Sequence, residues 1–377
     1  MHDIELHRGL LHQADSRRHL NTPALVLDRD VLERNIARMA AFASSKSIAL
    51  RPHAKTHKSV DIARRQLAAG AVGVCCAKLG EAEALAEGGI DDILLTSPVV
   101  SPSAIQRLAS LRARCASLKV VVDNPTNVAT LCSALGGERL DVLIDVDPGI
   151  RRTGVADAEA ALRLFKAIEG ARELTYRGLQ YYCGAQQHLP SFSERHVAVH
   201  DRTQYLETVI ALLSKHGARP DIVSGGGTGS HRIDAELGVL NELQVGSYAL
   251  MDRQYAECDL GAHGSPFEYA LFVDARVVSA NHAGMATLDA GFKAMSTDGG
   301  PPAIVGGAPP GATFHFMGDE HSAVVDPSKT HAWRIGDLVS LAVPHCDPTV
   351  NLYDTYHVVS DETLVDMWPV TARGRGR

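Results

Sequence analysis

The chain has 377 residues, enough for about two domains at roughly 150 residues each, which excludes a simple small module. Hydrophobic residues make up 45% and charged residues 21%, the balance of a globular protein with a large core. The 37 basic and 44 acidic side chains give −7 with no long block of either sign, which disfavours a nucleic-acid or anionic-membrane partner.

In chain order, the first strand-like run is Ala24 to Asp28, which precedes the main series and is expected to pair with a C-terminal sheet. Eight further apolar or β-branched runs follow: Ile48 to Arg51, Val72 to Ala77, Ile93 to Thr96, Lys119 to Asp123, Val142 to Asp147, Leu174 to Tyr182, Asp221 to Ser224 and Leu243 to Ser247. Between them lie stretches of helical period such as Ser59 to Gly70 and Gly80 to Gly88, each closed by a glycine suited to a C-cap. Alternation of this kind predicts an α/β fold, a (β/α)8 TIM-type barrel. An open doubly wound sheet is the less favoured alternative, because no Gly-rich phosphate loop follows the first strand. After about Tyr255 the texture changes to short strands, Ala270 to Val278, Ala286 to Leu288, Leu338 to Val343 and Tyr356 to Ser360, separated by Gly and Pro clusters. A mainly β C-terminal domain is expected, giving an N-terminal segment 1–28, a barrel 29–255 and a β-domain 256–377 that ends in a frayed tail, Arg373 to Arg377.

No window approaches the ~18 uncharged apolar residues of a membrane span, and the polar N-terminal stretch lacks the apolar core of a signal peptide. A cytoplasmic protein is expected. Seven Cys without regular spacing predict reduced thiols rather than a disulfide framework, and 18 His are an unusual count for a side chain used in proton transfer and metal ligation.

Three stretches carry chemistry. The first barrel strand ends in Arg51-Pro52-His53-Ala54-Lys55-Thr56-His57-Lys58, so a lysine stands where a barrel of this type builds its active site. Lysine is the residue of Schiff-base chemistry. After the seventh run comes Ser224-Gly225-Gly226-Gly227-Thr228-Gly229-Ser230, and after the eighth Gln244-Val245-Gly246-Ser247-Tyr248. Glycines let backbone N–H groups converge on an anion, and the loops after strands seven and eight often form a barrel's phosphate site. A lysine facing a phosphate cradle implies a phosphorylated aldehyde cofactor, and pyridoxal 5'-phosphate is the obvious one. Near the C-terminus, Pro344-His345-Cys346-Asp347-Pro348 follows an apolar strand. If the strand continues, period two puts His345 and Asp347 on one face, a pair suited to an exchangeable divalent ion such as Mn, Zn, Mg or Co. Taken alone, that motif reads better as a polar turn capping a strand.

Together these motifs resemble the D-threonine aldolase family, with the related D-3-hydroxyaspartate aldolases and D-serine dehydratases, fold-type III pyridoxal phosphate proteins similar to alanine racemase. The likeness runs from Thr22-Pro23-Ala24 through Gly178-Leu179-Gln180, Asp289-Ala290-Gly291 and Asp319-Glu320-His321 to His345-Cys346-Asp347-Pro348-Thr349. It implies that Lys55 is the Schiff-base lysine, that Gly226, Gly227, Thr228, Gly229, Gly246, Ser247 and Tyr248 hold the phosphate, and that Arg152 and Tyr182 face the cofactor. It also implies a divalent metal, with Mn the first choice, on His345 and Asp347, and a homodimer. Two departures are Cys183 and Tyr353, where members of the family often carry His. The His-x-Asp spacing favours the aldolase branch over the dehydratases, which resemble His-x-Cys.

The expected reaction is retro-aldol cleavage of a D-β-hydroxy-α-amino acid to glycine and an aldehyde. His188 is the barrel-side candidate for the base, with a metal-bound hydroxide as its rival. A D-3-hydroxyaspartate aldolase is the nearest alternative. It needs an extra cation for the second carboxylate, for which Arg232, Arg253, Arg276 and Lys293 are candidates. A D-serine or D-3-hydroxyaspartate dehydratase comes next, and a non-catalytic pyridoxal phosphate carrier is the reading from a different class.

Overall fold

The computed structural model describes residues 3–261 and 265–377. Its strands are β1 (Ala24–Asp28), β2 (Ala49–Leu50), β3 (Val74–Cys76), β4 (Ile93–Leu95), β5 (Lys119–Val122), β6 (Leu140–Asp145), β7 (Leu174–Tyr181), β8 (Ile222–Gly225) and β9 (Glu242–Leu243). These are followed by β10 (Leu271–His282), β11 (Met285–Leu288), β12 (Ala303–Gly306), β13 (Thr313–Phe316), β14 (Ser322–Val325), β15 (Leu338–Ala342), β16 (Thr355–Ser360) and β17 (Thr363–Pro369).

Strands β2 to β9 form a parallel eight-stranded sheet in the order β2-β9-β8-β7-β6-β5-β4-β3. The ring closes between the end strands, where Val72 N donates to Leu50 O and Cys75 N to Pro52 O, both at 2.8 Å, and His53 bridges Cys75 in parallel. The eight predicted runs are therefore the eight barrel strands. Period two sorts their side chains: Cys75, Leu94, Val121 and Leu143 form a buried cluster inside the barrel, while Val74, Ile93, Val120 and Val142 pack outward under the helices. Such continuous apolar runs are what a strand covered on both faces requires.

The helices start where the sequence offers caps. Asp28 accepts from Val31 N (2.9 Å) to open Arg29–Ser45, and Ser59 accepts from Asp61 N (3.2 Å) to open Val60–Ala68. Gly70, at φ +104°, takes the left-handed position after the second of these. After Leu79–Glu87 that position falls to Gly89 (φ +81°), one residue beyond the predicted Gly88.

The second sheet has nine strands, with the path β13-β14-β11-β10-β1-β16-β17 and β15 between β10 and β12. As expected, β1 belongs here, antiparallel to β10 and parallel to β16. Arg17 fastens the segment before it by donating two hydrogen bonds, 2.8 and 3.0 Å, to buried Asp274 on β10.

Two expectations are corrected. Residues 373–377 are docked rather than frayed: Gly374 N donates to Asn351 Oδ1 (3.3 Å), Gly80 N to Arg377 O (3.1 Å), and Arg373 pairs with Asp354 (2.8 Å). The strand before His345 does not continue through it. β15 stops at Ala342, and His345 is the extended N-cap of a short helix, Cys346–Val350.

Candidate active site

All eight barrel strands send residues from their C-terminal ends into one cavity of about 620 Å³. Lys55 and Thr56 follow β2, Lys78 follows β3, Thr96 follows β4, and Asp123 follows β5. Arg152, Tyr182, Thr228 and Ser247 come after β6 to β9, and Tyr255 lies on the chain leaving the barrel. This is the face on which barrels of this kind place their loops and ligands.

Lys55 forms an ion pair with Asp347 of the β-domain. Burial works against charge on Lys55, yet Asp347 outweighs it and holds the ammonium above the usual lysine range. Burial would likewise raise the Asp347 carboxyl, but Lys55 and His345 pull it down to about 2. The second carboxylate oxygen, Oδ2, is buried without a hydrogen-bond partner and lies 3.8 Å from His345 Nε2. On its other side His345 Nδ1 is 2.7 Å from Asp298 Oδ2, a contact that fixes the ring with Nε2 on the Asp347 side. An orphaned carboxylate oxygen beside an oriented imidazole fits a divalent cation. Among the described residues no three His, Cys, Asp or Glu converge as ligands, so such an ion would keep open positions.

Asp252 anchors this corner. Its carboxylate accepts from Tyr255 N (3.1 Å) and Cys346 N (3.0 Å), joining the end of the barrel to the His345–Asp347 turn. Burial lifts its carboxyl to about 6, with the two amides acting the other way.

The opposite wall is the glycine loop. Gly227, Thr228, Gly246 and Ser247 all line the cavity, and Thr56 Oγ1, buried and unpartnered, faces Gly246. A Cβ on Gly246 would lie 2.6 Å from that hydroxyl, and one on Gly227 2.5 Å from Gln187 Oε1. Among the described residues, the amides of Thr228, Gly246 and Ser247 take part in no hydrogen bond within the chain. Free amides and an orphaned hydroxyl around a Cβ-free turn fit a phosphate.

Three predicted contacts stand behind this wall instead of on it, because their polar groups are spent shaping the loop. Gly226, at φ +70°, abuts Asp234; Gly229 N donates to Gln187 Oε1 (3.1 Å); and Tyr248 N donates to Thr228 Oγ1 (3.0 Å) while its phenol accepts from Gln66 (3.2 Å). Arg152 and Tyr182 do face the cavity, the guanidinium 5.6 Å from the ring centre. Burial raises the Tyr182 phenol against the opposing charge of Lys55.

His188 is not on the cavity wall. Its ring lies 4.3 Å from that of Tyr255, which is, and burial lowers its basicity with His345 adding to the effect through charge. Tyr353 donates to Ala294 O (2.7 Å), bracing the loop that carries Asp298, and Cys183 is buried. None of the four predicted extra cations reaches the cavity. Arg232 donates to Gly261 O (2.8 Å), Arg253 to Glu257 (2.6 Å), Arg276 to Gly336 O (2.8 Å), and Lys293 to Glu320 (2.5 Å). Sequence reasoning missed Asp252, Tyr255 and Asp298, which carry no local motif, and Thr56, which lies inside the stretch singled out for Lys55.

Comparison with known proteins agrees with this architecture. Residues 27–254 match the family described as "Alanine racemase, N-terminal domain", and 270–359 match "Putative serine dehydratase domain". A 3-hydroxy-D-aspartate aldolase of Paracoccus denitrificans (strain Pd 1222) is 40% identical over 365 residues, 95% of this chain and 93% of the relative. A D-threonine aldolase of an Arthrobacter species is 40% identical over 360 residues, 95% and 94% of the two chains. The crystal structure of D-threonine aldolase from Filomicrobium marinum superposes with a TM-score of 0.90 at 39% identity, covering 95% of this chain and 96% of that one. With its barrel, β-domain and 95% of its length matched in this way, the chain belongs to the D-threonine aldolase family of alanine racemase-like proteins.

Proposed function

We propose that the protein is a carbon–carbon lyase that cleaves D-β-hydroxy-α-amino acids of the D-threonine type to glycine and an aldehyde, using pyridoxal 5'-phosphate and a divalent metal, Mn by first choice. The observation that carries this reading is the meeting of Lys55 with the His345–Asp347 pair at one end of the cavity. A racemase has no use for an oriented imidazole and carboxylate beside its lysine. A lyase that must draw a proton from a β-hydroxyl does.

In this reading Lys55 attaches the cofactor, and Thr56, Thr228 and the amides of Gly246 and Ser247 bind its phosphate, while Gly226, Gly229 and Tyr248 hold that loop in shape. Bound pyridoxal phosphate supplies an electron sink for the breaking Cα–Cβ bond. Arg152 and Tyr182, which line the cavity, would face the cofactor. His345 and Asp347 would hold the cation, whose contribution is to acidify the β-hydroxyl. Asp298 fixes the imidazole and Asp252 the turn. His188, whose basicity burial lowers, stands behind Tyr255 and off the cavity wall, so as the base it would act through that residue and not on the substrate directly. Because lysine and metal pair come from different domains, 29–255 and 256–377, a substrate held by both would be accepted in one configuration at Cα. Selectivity for D substrates follows, with looser control at Cβ.

The reading includes a homodimer acting in the cytoplasm, the first checked by sedimentation and the second by fractionation. The test of function is assay of the holoenzyme on D- and L-threonine, D-3-hydroxyaspartate and D-serine, with and without a chelator. Chelator-sensitive release of glycine from D-threonine and none from L-threonine is expected. A keto acid as the main product overturns the aldolase reading.

A further inference from the structure

Beside the Lys55–Asp347 pair lies a second pocket of about 370 Å³ that shares lining residues with the cavity. Lys55 and Lys78 line both spaces, so Lys78 stands at the junction. The far wall is formed by Asn351 and the docked segment at 374–376, held by the bond from Gly374 N to Asn351 Oδ1 (3.3 Å) and by Ala372 N donating to Lys58 O (2.9 Å).

Three lysines and two carboxylates line this pocket, and their pairing leaves one lysine over. Lys55 is paired with Asp347 and Lys58 with Glu81. Glu81 is already engaged on both oxygens, one by Lys58 and the other by the amides of Ala77 (2.9 Å) and Lys78 (3.1 Å). The Lys78 side chain is exposed and, among the described residues, forms no ion pair. An ammonium without a counter-ion, on the wall of a pocket that opens at Asp347, complements an anion.

We infer that Lys78 is a specificity-determining residue: it binds a carboxylate carried on the β-carbon of the substrate, which projects into this side pocket. The inference rests on the reading that His345 and Asp347 hold the β-oxygen, since the pocket begins at that point. It makes 3-hydroxyaspartate-type dicarboxylates better substrates than D-threonine. In such a cleavage the Cα–Cβ bond breaks, the β-hydroxyl loses its proton and becomes the aldehyde of glyoxylate, and Cα gains a proton to give glycine. No oxidant or reductant is consumed.

The test compares the wild-type holoenzyme with Lys78→Met and Lys78→Arg, reading the ratio of kcat/KM for D-3-hydroxyaspartate to that for D-threonine. A charge-assisted hydrogen bond predicts that Lys78→Met lowers this ratio by about tenfold to a hundredfold, mostly through KM, while Lys78→Arg stays within about threefold of wild type. Calorimetric binding of D-aspartate and D-2-aminobutyrate, which lack a β-hydroxyl and are not cleaved, gives a readout apart from turnover. The Kd for D-aspartate alone is expected to rise in Lys78→Met. An unchanged ratio in Lys78→Met, or a wild-type enzyme that cleaves D-threonine but not D-3-hydroxyaspartate, overturns the role of Lys78. Failure of the wild type to release glycine from either substrate overturns the aldolase reading itself.

Discussion

Lys55, at the end of the first barrel strand, and Asp347, in the turn after β15, are 292 positions apart in the chain and form one ion pair. The pair brings the amine that would carry the cofactor to the carboxylate that would carry the metal. It also explains the opposite displacements of the two groups, the lysine upward and the carboxyl down to about 2, each resisting the effect of its own burial.

Replacing Lys55 by Ala should lower cleavage of D-threonine by about a thousandfold or more, the scale of loss when a covalent anchor is removed. Borohydride reduction followed by peptide mass analysis checks the assignment, because the cofactor should be fixed to Lys55 in the parent and to no lysine in the variant. A reduced adduct that persists in Lys55→Ala would contradict it.

Asp298 is a positioning residue, acting through the His345 ring 2.7 Å away. Asp298→Ala should weaken metal affinity by about tenfold to a hundredfold, as removal of a carboxylate behind a ligating histidine does. Titration of the variant with Mn followed by electron paramagnetic resonance measures this directly, and activity should return at high metal. A loss of activity with unaltered metal affinity would assign Asp298 a different role.

The phosphate wall predicts a separable defect. Gly246→Ala puts a Cβ 2.6 Å from Thr56 Oγ1 and 3.4 Å from His53 O, in the space between the cradle and the first strand. The Kd for pyridoxal phosphate, followed by absorbance, should rise about tenfold or more, a loss comparable to one charge-assisted hydrogen bond. Thr56→Val should act in the same direction with less effect on stability. Unchanged cofactor affinity in both would remove the loop from the phosphate site.

Stability against pH tests the buried titratable groups of the two domains. Asp234 accepts from Ser230 Oγ at 2.6 Å, and burial outweighs that bond to lift its carboxyl to about 7. Because the folded value lies above the ordinary 3.8, the folded chain binds an extra proton between about pH 4 and 7. The contribution of Asp234 is therefore full below that window and lost as pH rises through it. His57, His231 and His357 act in the reverse sense: burial lowers each to about 4, so their contribution is present above about 6.5 and lost on acidification. Asp234→Asn should make the fall in Tm between pH 7 and 4 steeper than in the parent. Parallel Tm profiles would contradict the raised carboxyl.

The barrel was legible in the sequence because each parallel strand is buried on both faces, so that runs such as Lys119 to Asp123 stand out as continuous apolar stretches between helices. The β-domain was harder to read. β12 and β13 are half exposed and only four residues long, and β14 and β17 pair with neighbours that local periodicity does not name. Lys55 could be found from its place at a strand end. Asp298 could not, since its role depends on a loop brought to His345 from 47 positions away. The same limit explains Lys78, whose free charge becomes apparent only once Lys58 and Glu81 are seen to satisfy each other.

The most direct measurement is product analysis of the holoenzyme supplied with D-threonine, with and without a chelator. Glycine and acetaldehyde are expected in equal amounts, lost on chelation and restored by Mn. Metal-independent turnover, or ammonia and a keto acid in their place, would contradict the aldolase reading.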